Sequence, residues 1–93
     1  MKTFKDLEFK PHPNFGHDNG VQAIIKFENG FGASVVCTPF TYGGKEGLYE
    51  LAVLKDDGSL TYDTPITNDV LGYLSKKDVT DVLVKIQQLW KSL

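Results

Sequence analysis

The stretch VQAIIKFENGFGASVVCT, residues 21–38, decides the fold. Asn29-Gly30 lies between two runs rich in β-formers. Asn-Gly favours a two-residue type I′ turn, because both positions tolerate positive φ. Such a turn sets Glu28 opposite Phe31, Ile24 opposite Val35 and Ile25 opposite Ser34. Paired residues share a face of the sheet, and faces alternate along each strand. On this register one face carries Val21, Ala23, Ile25 and Phe27 with Gly32, Ser34, Val36 and Thr38, setting large side chains against small ones. The other carries Gln22, Ile24, Lys26 and Glu28 with Phe31, Ala33, Val35 and Cys37. Ile24, Phe31, Ala33 and Val35 then form an apolar strip on the more open face and are candidates for contact with a partner.

Working outward, GLYELAVLK reads as a further strand. Tyr49, Leu51 and Val53 point one way and Leu48, Glu50, Ala52 and Leu54 the other, and apolar residues on both faces mark a central strand. DDGS forms a turn, and LTYDT supplies a shorter fourth strand ended by Pro65. ITNDVLGYL is expected to form a helical turn that Gly72 interrupts. In LSKKDVTDVLVKIQQLWKSL, Ser75 is an N-cap with Asp78 three residues on, close to a capping box. Val79, Val82, Leu83, Ile86, Leu89, Trp90 and Leu93 follow at spacings of three and four, one apolar stripe of a helix. Asp81 and Lys85, four apart with the acid first, suit a surface pair. Before the hairpin, residues 4–9 read as a short strand or turn, and the two prolines of PHPNFGHDNG argue against regular structure there.

The expected fold is α+β: a single domain, residues 1–93, with an antiparallel sheet of about four strands and one C-terminal amphipathic helix packed on one face. One helix covers one face. The other must be solvated, covered by the N-terminal segment, or paired with another chain, which leaves room for a homodimer through the uncovered face.

Charge and composition exclude several functions. The net charge is −2, with 10 basic and 12 acidic residues and no arginine. Nucleic-acid affinity rests on clustered Lys and Arg, so direct nucleic-acid binding is not expected. Cys37, the one cysteine, has no partner for an internal disulfide and suits a reducing cytoplasm. The start, MKTFKDLEFKP, lacks the apolar core of a signal peptide, and no apolar run is long enough for a membrane span.

The second informative stretch is TYGGKEGLYE, residues 41–50. A phosphate-binding loop needs its lysine followed by Ser or Thr at a helix start. Here Glu46 follows Lys45 and a strand comes next. The glycines then serve a tight connection between strands, and Tyr42, Tyr49, Lys45 and Glu46 are the candidate recognition surface. Other constellations are weak. His12, His17 and Asp18, with Cys37, lack a recognised metal-ligand spacing. Cys37 inside a strand reads as a small packed side chain. Asp56, Asp57, Asp63 and Glu50 read as turn formers and solvated carboxylates. Trp90 reads as core. No catalytic, cofactor or metal residue is assigned.

The segments DLEFKPHP, NGFGASVV, YGGKEGLYELAVL and TYDTPITNDVLGYLSKKDVTDVLVKIQQL resemble, in order and over nearly the whole chain, a family of small proteins from tailed bacteriophage and prophage genomes. That family has no assigned activity, so the resemblance transfers no site residue. It implies a protein of the infected bacterial cytoplasm, a non-catalytic accessory factor that binds and inhibits a host or defence protein. The alternatives are a binder that sequesters a nucleotide-type small ligand and a virion or assembly component.

Overall fold

The structure, a computed structural model, describes residues 1–13, 20–61, 64 and 70–89. Five antiparallel strands run in sheet order equal to chain order: β1 (Lys10–His12), β2 (Gly20–Lys26), β3 (Gly32–Cys37), β4 (Tyr49–Leu54) and β5 (Leu71–Leu74). One helix, α1 (Lys76–Gln87), follows, and two short 3-10 turns, η1 (Phe4–Asp6) and η2 (Gly44–Glu46), lie outside the sheet. The class is α+β with one helix on one face.

The central hairpin forms where expected but in a different register. Ile24 pairs with Ser34 and Ile25 with Ala33, one residue away from the two-residue-turn reading. The Phe27 N–H donates to the Phe31 carbonyl (2.8 Å) and the Gly30 N–H to the Phe27 carbonyl (3.2 Å). Glu28, Asn29 and Gly30 therefore form a three-residue loop, with Gly30 at φ 91° in the left-handed position that this loop form requires. Its cause is Asn29. The side-chain Oδ1 accepts from the Phe31 N–H (3.1 Å), while Nδ2 donates to the carbonyls of Ile86 (2.8 Å) and Leu89 (3.0 Å).

A one-residue slip moves every side chain of a strand to the opposite face. Ala23 and Ile25 thus share their face with Ala33 and Val35, not with Ser34 and Val36. The apolar strip of Ile24, Phe31, Ala33 and Val35 does not exist as one surface. Ala33 and Val35 are fully buried, Phe31 packs against the core, and Ile24 is 59% exposed on the other side. The core joins Ala33 and Val35 with Leu51 and Val53 of β4 and Val79, Leu83 and Ile86 of α1, all at 0–1% exposure. Burying each of the larger aliphatic side chains contributes on the order of 1.5–3 kcal/mol.

α1 begins as its sequence indicates. Ser75 accepts from the Asp78 N–H (3.1 Å) and the Asp78 carboxylate accepts from the Ser75 N–H (3.0 Å), a reciprocal capping box. Val82 and Leu89 pack at the margin of the core, while Trp90 and Leu93 lie outside the described residues. The surface ion pair is Lys77–Asp81 (3.2 Å) rather than Asp81–Lys85.

Strand content also differs at the sheet edges. β1 contains Pro11, paired with Val21 on an edge where a missing N–H is tolerated. Leu71–Leu74 is a strand rather than part of a helical turn, and it pairs with β4 through a register shift between Tyr49 and Leu51. Of LTYDT, Leu60 forms an isolated bridge with Leu54, and Tyr62, Asp63 and Pro65 lie outside the described residues, as do residues 66–69.

The N-terminal segment lies on the helix side of the sheet, not across the open face. Phe4, Leu7 and Phe9 pack against the core cluster. The open face carries Lys10, Gln22, Ile24, Lys26, Ser34, Val36, Glu50 and Ala52, a mixed surface on which Gln22 Nε2 donates to Ser34 Oγ (3.0 Å).

Two outcomes follow. Asn29→Ala removes the hairpin-loop bond and both helix-end bonds. It should lower stability by about 1–3 kcal/mol, read as a lower urea midpoint. Asp6 and Asp78 are held below the usual carboxylate range, each chiefly by a backbone N–H (Thr3 and Ser75). With folded values below unfolded ones, their stabilisation is complete above the ordinary carboxylate pKa of 3.8 and is lost as pH falls through the folded values. The urea midpoint should fall on acidification below about pH 4, and Asp78→Asn should flatten that fall.

Candidate functional site

The connection from β3 to β4 is built around Thr38, which is 2% exposed. Its N–H donates to Thr41 Oγ1 (3.0 Å), that hydroxyl donates back to the Thr38 carbonyl (3.0 Å), and the Phe40 N–H donates to Thr38 Oγ1 (3.1 Å). The chain then folds back over this knot. A Cβ on Gly44 would lie 1.7 Å from the Thr38 carbonyl oxygen, so only glycine fits there. η2 follows, entered at Gly43 and left at Gly47, both in the left-handed region.

The loop's amides are directed inward. The Gly44 N–H donates to Thr41, those of Glu46 and Leu48 to Gly43, and that of Gly47 to Gly44. The Tyr42 N–H donates to Glu50 Oε2 (2.9 Å). A phosphate cradle needs such donors aimed at a ligand; here they hold the loop.

Two tyrosines meet where this loop crosses β5. The Tyr73 N–H donates to the Tyr42 carbonyl (3.1 Å). Tyr42 lies against Gly72, where a Cβ would come within 2.4 Å of its own Cβ, and the Tyr73 ring lies against Gly43. Each tyrosine thus packs on the glycine beside the other. Both project outward, Tyr42 at 62% and Tyr73 at 59% exposure, and Phe40 on the same loop is 78% exposed. Tyr73 has φ 57°, a conformation that costs a non-glycine residue roughly 1 kcal/mol or more.

The structure brings together Tyr42, Lys45 and Glu46 of the residues singled out from sequence; both charged residues are exposed at η2. It separates the others. Tyr49 turns to the helix side, where its ring packs edge-on against Phe4 (5.2 Å between centroids) and beside Phe9 (5.5 Å). Burial, then the nearby Cys37, pushes its hydroxyl pKa up. Ile24 stands on the open face, Phe31 at the hairpin tip and Val35 in the core. Phe40 and Tyr73 were missed. A signal for Phe40 lay in Pro39, which ends β3 and leaves the next residue outside the sheet.

The weaker constellations resolve as packing and turns. Burial pushes the Cys37 thiol up, opposite to what a nucleophile requires, and its Sγ donates weakly to the Gly44 carbonyl (3.6 Å). Asp57 accepts from the Ser59 N–H (2.9 Å) and hydroxyl (2.6 Å), which lowers its pKa and makes it a turn former. His12 is half-buried in β1, while His17, Asp18 and Asp63 lie outside the described residues. Among the described residues no three His, Cys, Asp or Glu side chains cluster to hold a metal ion, and no helix is long and apolar enough to cross a membrane. An open hollow of about 770 Å³ lies at the hairpin-tip end, between Lys2, Asp6, Lys26, Glu28 and Gln87, away from the tyrosines.

No protein-family model, curated protein or solved structure matches the chain.

Gly44→Ala must displace backbone and should cost about 2 kcal/mol or more. Gly47→Ala meets open space and should cost only the roughly 1 kcal/mol of its positive φ. Urea unfolding of the two variants side by side checks the order.

Proposed function

We propose that this protein is a non-catalytic interaction module that docks another protein through Phe40, Tyr42 and Tyr73, with Lys45 and Glu46 at the rim. Tyr73 is the observation that carries the reading. It keeps a bulky aromatic at φ 57° while leaving most of that side chain in solvent. Glycine would relieve the backbone there, so what the tyrosine adds is its ring, which touches Gly43 on one side and is otherwise turned to solvent. Exposed aromatics on a stiff support are the usual anchors of protein interfaces. The stiffness comes from the threonine knot and the two tyrosine–glycine contacts, which reduce the ordering cost of binding.

The setting belongs to the same proposal. On the resemblance to phage proteins, the setting we propose is an infected bacterial cytoplasm, with a host or defence protein as the target and inhibition as the effect. A nucleotide-sequestering role draws less support, because the amides of Thr41, Gly44, Glu46, Gly47 and Leu48 are bonded within the loop itself. The homodimer through the open sheet face draws less support too, since that face is interrupted by Lys10, Lys26 and Glu50.

The test separates stability from binding. Tyr73→Gly relieves the positive φ but loses the ring contact with Gly43, so the urea midpoint should move by no more than about 1 kcal/mol of stability in either direction. The same variant, and Tyr42→Ser, should reduce capture of a bacterial partner from lysate at least tenfold in quantitative mass spectrometry. A Tyr73→Gly protein that is clearly less stable, yet captures the same partner undiminished, would overturn the proposal.

A further inference from the structure

The strap of residues 1–7 lies against one flank of α1 and is tied to it by main-chain hydrogen bonds. The Lys2 N–H donates to Gln87 Oε1 (2.9 Å), and Gln87 Nε2 donates back to the Lys2 carbonyl (2.8 Å). One carboxamide thus reads both main-chain groups of one residue, as a neighbouring strand would. Two residues on, the Phe4 N–H donates to Thr80 Oγ1 (3.1 Å). Thr80 and Gln87 are two helical turns apart on one side of α1, and the strap runs antiparallel to the helix. The Phe4 ring fills the space between Tyr49 and Phe9 (5.2 and 5.6 Å between centroids), with Lys76 Nζ 5.7 Å from its centre.

These are the elements of extended-peptide recognition: main-chain hydrogen bonds for affinity and one side-chain pocket for specificity. We propose that this flank of α1 is a peptide-recognition groove that the strap occupies in cis, and that it accepts in trans an extended protein segment of the same chemistry. That segment carries any residue opposite Gln87 and an aromatic residue two positions later, opposite Thr80 and Tyr49.

The strap is built to leave. η1 has no buried residue, and its own bonds are local, from Asp6 to Thr3 and from Leu7 to Phe4. Its polar ties to α1 lie at or near the surface, so Gln87 and Thr80 regain water when it lifts. Phe4 and Leu7 pack on the margin of the core, but the buried cluster of Val35, Leu51, Val79 and Leu83 contains no strap residue and remains assembled when they lift. Segments with no fully buried residue and with exposed hydrogen bonds open locally ahead of global unfolding. This groove is separate from the aromatic loop, so the two proposals stand or fall independently.

The test uses the full chain. A synthetic peptide of residues 1–8 is titrated into the full-length Phe4→Ala protein, followed by NMR at the Gln87 side-chain amide and the Thr80 backbone amide. Saturable shifts at both are expected, with binding at least tenfold weaker for the peptide that itself carries Phe4→Ala. Should the Phe4→Ala protein not fold, Lys2→Pro, which removes the N–H read by Gln87, takes its place. Amide exchange in the unmodified chain provides the second measurement. Phe4, Asp6 and Leu7 should be at least tenfold less protected than Val35 and Leu51. Equal protection of strap and core, or no shift at Thr80 and Gln87 at millimolar peptide, overturns the proposal.

Discussion

The carboxamide of Asn29 holds the hairpin loop through the Phe31 N–H and the end of α1 through the carbonyls of Ile86 and Leu89. The first bond belongs to the loop that fixes which side chains of β3 face the helix. The other two tie the hairpin to the turn that ends α1, where the Ile86 carbonyl also accepts from the Leu89 N–H (3.1 Å). Because strand alternation has period two, a slip of one residue would carry Ala33 and Val35 out of the core and bring Ser34 and Val36 in. A shift of α1 along the sheet would break the Asn29 bonds at its end. One turn residue therefore ties a local choice of loop to the long-range packing of Val79, Leu83 and Ile86.

The sidedness of the protein follows from that register. The fully buried alternates of β3 and β4, Ala33, Val35, Leu51 and Val53, fall on the helix side, and the N-terminal aromatics Phe4 and Phe9 join them there around Tyr49. The opposite face receives Gln22, Lys26, Ser34 and Glu50. Antiparallel sheets tolerate water on one face, so α1 on the other face suffices to close the core. The search for a surface that needs a partner then moves from the sheet to its ends.

Elements encoded by neighbouring residues were legible in the sequence. The Ser75–Asp78 box and the spacing of Val79, Leu83 and Ile86 need only one helical segment to make sense. The hairpin register was not, because Asn-Gly alone favours a shorter turn and the deciding partners, Ile86 and Leu89, are more than fifty residues away. β5 was hidden by Gly72 and Tyr73, whose irregular backbone breaks the alternation that identifies a strand. β1 was hidden by Pro11, which an edge permits. Within the candidate site, Tyr42, Lys45 and Glu46 were legible as an exposed loop. Tyr49 was assigned to that loop even though alternation already set it on one face with Leu51 and Val53. Tyr73 comes together with Tyr42 only through the crossing of the loop and β5, which no local pattern contains.

That crossing gives the glycine-rich stretch its meaning. Gly43 and Gly72 make room for Tyr73 and Tyr42, and Gly44 lets the chain fold back onto Thr38. The glycines are shaped to other parts of the same chain, whereas the aromatic rings they support are turned largely toward solvent. Beside Gly72, where a second glycine would relieve the backbone, the chain instead carries a tyrosine at positive φ. Local strain kept at an exposed side chain, among residues that elsewhere in the loop relieve it, is a reason to look for function in that side chain. The interior then accounts for the glycines and the fold, and the solvent-turned sides of the Tyr42 and Tyr73 rings are the part of the loop that this packing leaves over.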